Sequence, residues 1–172
     1  MNQEIKIVAA KTPEEFLEAK KLIIEYVDWL LLKAGPEARM TLSSQNIEKE
    51  METLSRTYSF PDGALFFAWN NGHAVAVAGI KRFNERECEL KRMFVQEKCR
   101  GLGIGDLLLT ECIENAKILN YESIKLDTLA FMKSAINLYI DHGFSEIPAY
   151  RHNTHREARF FELDLRKSID SM

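Results

Sequence analysis

The segment Arg100–Leu109, RGLGIGDLLL, sets three glycines among branched apolar residues and runs straight into a leucine-rich stretch. An apolar, strand-like run, Cys88–Val95, precedes it, so the segment reads as a strand-to-helix junction. Such a junction supports one kind of chemistry, the holding of an anion. The unpaired amides of a helix start and the positive end of its dipole attract negative charge. Glycine lets the backbone approach without a Cβ in the way, and Arg100 adds a charged donor fork. The same residues would also make a plain turn with no ligand. Two nucleotide motifs are excluded. A Walker loop needs GxxxxGK followed by Ser or Thr, and no lysine stands there. The dinucleotide fingerprint needs GxGxxG, whereas Gly101, Gly103 and Gly105 follow GxGxG and Asp106 stands where the last glycine would fall.

The elements that must position this loop follow from periodicity. Glu4–Ala10 alternates polar and apolar residues as a strand does. Thr12, Pro13 and Glu15 are helix-start signals. Phe16, Leu17, Leu22, Ile23, Tyr26, Val27, Leu30 and Leu31 then recur at helical spacing, which predicts a helix to about Lys33, stopped by Ala34–Pro36. Ser43–Leu54 reads as a second, shorter helix with Ile47, Met51 and Leu54 as its apolar stripe. The Lys33–Ser44 link between the two is polar and free to move. From Ala64 the period becomes two: ALFFAW, a turn at NNGH, AVAVAGIKRF, a turn at NERE, and CELKRMFV make a three-strand meander. After the glycine loop come a helix from about Gly105 to Leu119, the strand IKLDTL, and the helix MKSAINLYIDHGF closed by Gly143. EIPAY, the polar loop RHNTHRE and the strand ARFFELDL follow. This order predicts one α+β domain over residues 1–172 with a mixed sheet. In the third meander strand Leu90 and Met93 are three apart but Met93 and Val95 two apart. That change of phase suggests a bulge; a regular strand with mixed burial is the other reading.

Composition narrows the class. The 172 residues carry a formal net charge of −3, which argues against a nucleic-acid partner, since neutralising phosphates needs a concentrated basic surface. No stretch reaches the ~20 apolar residues of a membrane helix, and the N-terminal segment lacks the core of a secretory signal. Cys88, Cys99 and Cys112 are odd in number and lack CxxC spacing, as expected of free thiols in a reducing compartment. These features predict a soluble, cytoplasmic protein without a membrane partner. His142, His152 and His155 offer no regularly spaced third ligand, so no metal is expected.

Arg100, Gly103 and Gly105 form R-x-x-G-x-G at the junction, and this resembles the acetyl-CoA pyrophosphate loop of the GNAT superfamily of N-acetyltransferases. LKRMFV, RGLGIGDLLL, IKLDT and AINLYIDHGF follow in the family's order and spacing from about Ala64 to Leu165; the first half fits in outline. The resemblance implies an α/β/α-type fold. Its mixed, mostly antiparallel central sheet would be splayed at the acetyl-CoA site and flanked by helices.

The resemblance also implies roles. Met93, Phe94 and Val95 would bind acetyl-CoA through their main chain. Arg100, Gly101, Leu102, Gly103, Ile104, Gly105 and Asp106 would hold the pyrophosphate mostly through N–H groups, with the Asp106 side chain capping the helix. Tyr139 would protonate the departing thiolate, or else pack like its apolar neighbours. Glu89 is the first candidate base and Asp127 the second; either could instead be a structural carboxylate or a substrate anchor. Arg151, with Arg156 and Arg159, could grip an acceptor carboxylate or pair with Glu157 and Glu162. Where many members carry an Asn seven residues before the Tyr, this chain has Met132, so Lys133 or Ser134 would have to take over its cofactor contact. The implied activity is direct acetyl transfer to a small, amino-acid-like amine, with specificity set by Tyr150–Arg159 and Lys33–Ser44. A protein N-terminus or lysine as acceptor, and a non-catalytic acyl-CoA sensor, are the alternatives. Homodimers are common in such families.

Overall fold

The computed structural model describes residues 4–168. The capping box predicted at Thr12 is present: Glu15 N donates to Thr12 Oγ1, and the Glu15 carboxylate accepts from Thr12 N. It opens α1, Pro13–Ala34, whose Ala19, Leu22, Ile23 and Leu30 are buried. The strand before it is β1, Ile5–Ala9. The meander is β2 (Ala64–Asn70), β3 (His73–Arg82) and β4 (Glu87–Val95). Asn71 and Gly72 have φ of 50° and 81°, as the two-residue turn between right-twisted strands requires.

The helix starts and stops differ from expectation between Lys33 and Leu54. Pro36 does not only end α1. It also begins a second helix, α2 (Pro36–Ser44), which buries Ala38, Thr41 and Leu42, so the supposed mobile link is largely helical. Proline at the first helical position fits because its missing N–H would be unpaired there anyway. The expected helix Ser43–Leu54 is broken by Asn46, at φ 56°, into the end of α2, then α3 (Ile47–Glu52) and the single turn α4 (Leu54–Thr57). The remaining elements are α5 (Ile104–Ile118), β5 (Ser123–Leu129), α6 (Lys133–Asp141), β6 (Ser145–Ile147) and β7 (Ala158–Asp164). Among the described residues no helix is long and apolar enough to cross a membrane.

The strands form one sheet in the order β1-β2-β3-β4-β5-β7-β6. Only β4 and β5 run parallel; the other neighbours are antiparallel. Ile104, Leu108, Leu109 and Cys112 of α5 pack on one face with Ile136 and Tyr139 of α6. Ala19, Leu22 and Ile23 of α1 pack on the other with Leu65, Phe67, Val77 and Phe94.

Two breaks in the sheet matter for function. Val77 pairs with Phe94 but Gly79 with Lys91, so Arg92 and Met93 together oppose Ala78. This is the bulge that the phase shift suggested, and Arg92 sits in it at φ 58°. In addition, β4 pairs with β5 only from Glu87 to Glu89. Beyond that point β4 stays with β3 and β5 stays with β7, and the two parallel strands diverge. The expected fold, a mostly antiparallel sheet splayed in its middle, is the observed one.

Gly79 lies beside the bulge, and a Cβ there would be 2.7 Å from the ring of the fully buried Tyr58. Gly79→Ala is therefore expected to destabilise the protein by about 1–3 kcal/mol through overpacking, measured by urea unfolding. An unchanged midpoint would show that the Tyr58 ring moves aside freely.

Candidate active site

The glycine loop has an open concave face. Gly101 and Gly103 have φ of 81° and 76°, and the positions where their Cβ atoms would stand are empty. Gly103 in the left-handed region starts α5 without a side-chain cap. Asp106 does not cap the helix as expected, because its carboxylate lies 3.2 Å from His142 Nε2 on the neighbouring α6 side. The first-turn amides are left with the unmet donors of any helix start. Gly105 serves packing instead, since a Cβ there would come 3.2 Å from Leu138. Arg100 turns back rather than outward. Its Nε donates to Val95 O at 3.0 Å, and its guanidinium stacks 5.1 Å from the Trp29 ring and 6.0 Å from Phe94. Trp29 in turn donates from Nε1 to Glu97 at 3.0 Å, so α1 clamps the approach to the loop.

The divergence of β4 and β5 opens a cavity. Leu90, Lys91, Arg92 and Met93 of β4 line it, with Leu126–Leu129 of β5, Met132, Tyr139, and Gln45 and Asn153 from the far side. The Tyr139 ring packs against Phe144 and Phe161, with centroids 5.8 Å and 6.4 Å away. The packing reading of this tyrosine therefore holds, and the same side chain lines the cavity. Burial raises its pKa, with further raising from Tyr26, Cys112 and Asp127, so the hydroxyl stays protonated at neutral pH. Met132 occupies the start of α6 and accepts a 3.4 Å contact at Sδ from Thr128 Oγ1.

Beside the cavity, buried charges are arranged in pairs. Arg92 grips Glu50 with two hydrogen bonds, Nε to Oε1 at 3.0 Å and Nη2 to Oε2 at 2.8 Å, and Tyr58 donates to the same Glu50 at 2.6 Å. Arg151 and the Tyr150 hydroxyl both donate to Glu89 Oε2, at 3.1 and 2.8 Å. Lys91 Nζ lies 3.5 Å from Asp127 Oδ1, with side chains only 4% and 5% exposed. Asn153 donates to Asp127 Oδ2 at 2.8 Å. Burial lowers Lys91 to about 8, against the opposing pull of Asp127. Burial would raise Asp127, but Lys91, Arg151 and Asn153 hold it below the ordinary carboxylate range.

The Acetyltransferase (GNAT) family profile matches residues 25–144. The chain belongs to that family. An N-acetyltransferase of Schizosaccharomyces pombe, itself uncharacterised, is 32% identical over 165 residues, 95% of this chain and 96% of its own. The N-acetylaspartate synthetase of Danio rerio is 30% identical over 131 residues, 75% of this chain but 41% of that protein. Among solved structures, a GNAT acetyltransferase from Staphylococcus aureus Mu50 superposes with a TM-score of 0.72 at 25% identity, covering 94% of this chain and 99% of its own. The Salmonella typhimurium protein yncA, solved with its cofactor acetyl-CoA, shares the fold at a TM-score of 0.69 and 17% identity, with 94% of each chain covered.

In this GNAT enzyme the sequence-derived site residues come together in part. Asp127 and Tyr139 line the cavity, as do Met93, Met132 and Ala135, whereas Phe94, Val95, the loop 100–106, Lys133 and Ser134 are not among its lining residues. Glu89 and Arg151 are partners of one another beside it. Arg156 and Arg159 pair with Glu37 and Glu146 rather than with Glu157 and Glu162. His155 is buried and accepts Glu157 N at Nδ1. Among the described residues no three potential ligands converge on a metal position. Cys88, Cys99 and Cys112 are free and buried, and burial pushes the Cys88 thiol up to about 12. Sequence reasoning missed Lys91, Gln45 and Glu50; Tyr150 and Asn153 fall in the segment expected to line the acceptor side, without individual roles. A Lys-Arg pair inside an apolar strand was the available signal for Lys91.

Burial alone would raise the Glu50 pKa, but the hydrogen bonds and charge of Arg92, with help from Tyr58, bring it down to about 2 from 4.5. A depressed carboxylate contributes stability that is present above its unfolded pKa and lost as pH falls through the folded one. Between pH 7 and pH 3 this group alone is expected to cost about 2 kcal/mol. Urea unfolding should show a clearly smaller pH 7-to-3 difference for Glu50→Gln than for the unaltered protein. Equal differences would remove Glu50 as the acid-sensitive group.

Proposed function

We propose that this protein is an acetyl-CoA-dependent enzyme that transfers an acetyl group directly to the amine of a small, amino-acid-like acceptor. The observation that carries the reading is that Tyr139 and Asp127 both line the cavity between the diverging strands. The glycine loop that follows β4 suits a pyrophosphate: Gly101 and Gly103 leave clear the space where a Cβ would stand, and the first turn of α5 has amides to donate. The likeness to yncA, whose structure contains acetyl-CoA, and the N-acetylaspartate synthetase relatives support the choice of donor and acceptor class.

Bound acetyl-CoA would supply the acyl group as a thioester. Transfer forms a C–N bond and breaks a C–S bond; the amine loses a proton and the sulfur gains one. Of Met93, Phe94 and Val95, the main-chain groups on the β4 edge that has left β5 would meet the pantetheine arm; Val95 O on that segment already accepts from Arg100, and Phe94 pairs with Val77 of β3. We assign the proton donated to sulfur to Tyr139, whose O–H remains protonated at neutral pH and can donate as thiolate charge develops. The amine proton goes to Asp127, which lies on the cavity wall and is kept ionised by Lys91 and Asn153. Glu89, the first candidate from the sequence, has Oε2 occupied by Tyr150 and Arg151, which suits it better to positioning that loop. The loop and α2 meet over the cavity through Thr41 and Thr154, 2.9 Å apart, and these two elements supply the specificity-determining surface.

Two measurements test this reading. Acetyl-CoA at millimolar concentration should raise Tm by linkage, and no shift would sink it. Tyr139→Phe should lower kcat by about 10²-fold or more while keeping the acetyl-CoA shift in Tm. Unchanged turnover would remove Tyr139 as the acid.

A further inference from the structure

Resting on that reading, we infer that the acceptor is a free α-amino acid bound as a zwitterion, its carboxylate on Lys91 and its ammonium on Asp127. The argument begins with what the buried charges leave unmet. Arg92 is matched by the two-pronged bond to Glu50, and Arg151 by Glu89. Lys91 and Asp127 are different. The nearest acceptors to Lys91 Nζ are Gln45 Oε1 at 3.4 Å and Asp127 Oδ1 at 3.5 Å. Both exceed the ~2.7–2.9 Å of a charge-assisted hydrogen bond, so among the described residues this buried ammonium, with three donors, has long contacts and no short one.

Asp127 is complementary. Its Oδ2 accepts from Asn153 at 2.8 Å and from Gln45 at 3.4 Å, while Oδ1 faces only the distant Lys91. The cavity therefore presents one under-satisfied cation and one under-satisfied anion, side by side on adjacent strands. A buried pair met this loosely carries much of its desolvation cost without the full Coulombic return. A ligand with an oxyanion and an ammonium on neighbouring carbons offers both groups what they lack. With the other cations matched, the wall favours neither a second carboxylate nor a polyamine. The bound ammonium must first give one proton to Asp127, and from it to solvent, to free the nitrogen lone pair; the second proton leaves as the C–N bond forms and matches the one that sulfur gains, so recognition and transfer meet at the same carboxylate.

The test uses the full chain with acetyl-CoA, following release of the free CoA thiol over a panel of the standard amino acids, their amides and their decarboxylated amines. At least one amino acid is expected to turn over, with kcat/KM falling by about 50-fold or more in its amide and its amine, as for loss of a charged hydrogen bond. Lys91→Met should bring the acid-to-amide ratio close to one, chiefly through KM, while Lys91→Arg keeps a preference for the acid. A misfolded variant could not produce that selective change, and the acetyl-CoA shift in Tm reports folding. Equal use of acids, amides and amines by the unaltered protein would overturn the inference. So would a preference for peptides or protein lysines over free amino acids, or no turnover in the panel despite an acetyl-CoA shift. If acetyl-CoA produced no shift at all, the proposed function would fall with it.

Discussion

The buried ion pair between Arg92 and Glu50 holds the architecture of the site in place. Arg92 stands at a positive φ, a conformation that crowds the Cβ of any residue but glycine and costs on the order of 1–3 kcal/mol. Its guanidinium is also buried, and an unpaired charge there would be far more expensive. The two hydrogen bonds to Glu50 and the contact to Gln45 at 3.2 Å meet both demands at once. They keep an extra residue in β4 and tie that strand to α3, to Tyr58 beyond α4, and to the end of α2.

From the bulge follows the opening in the sheet. Parallel strands pair through evenly spaced bonds along their length, and β4 abandons β5 after Glu89 because its path has turned toward β3. Leu90, Lys91, Arg92 and Met93 of the parted strand are one wall of the cavity. Aromatic side chains fill the space on the α1 side. Trp29 lies 6.1 Å from Phe94 and 6.2 Å from Phe131, spanning the ends of the two separated strands. Arg100 stacks on this group and returns a hydrogen bond to Val95. Arg100, the residue expected to meet phosphate, also ties the loop to Val95 and Trp29.

The charges around the cavity differ in how well they are met. Glu50 with Arg92, and Glu89 with Arg151, are short pairs that fix elements far apart in sequence. Lys91 and Asp127 meet at the longer distance of 3.5 Å. In a low-dielectric setting that difference separates a structural pair from a receptive one, because unmet hydrogen-bonding capacity is a standing cost that a complementary ligand relieves. The cap over these groups, α2 and the 150–157 loop, is joined by few polar contacts, which suits a surface that admits a small molecule.

Much of the framework is written locally in the chain. The capping box at Thr12, the turn at Asn71–Gly72, the glycines before α5 and the slip in apolar phase from Leu90 to Val95 each report their own geometry, since caps, turns and bulges depend on residues a few positions apart. Pro36 shows the limit of such reading, because the same residue ends one helix and starts another. The partners of Glu89, Lys91, Arg92 and Asp127 could not be read this way. They come from 26 to 82 positions away, and which of them meet depends on how α2, α3 and the last loop fold onto the sheet. The sequence by itself determined the loop, the bulge and the family. Only the tertiary structure decided which buried charges are satisfied and which remain open, because hydrogen bonding between distant segments is settled by packing and not by spacing.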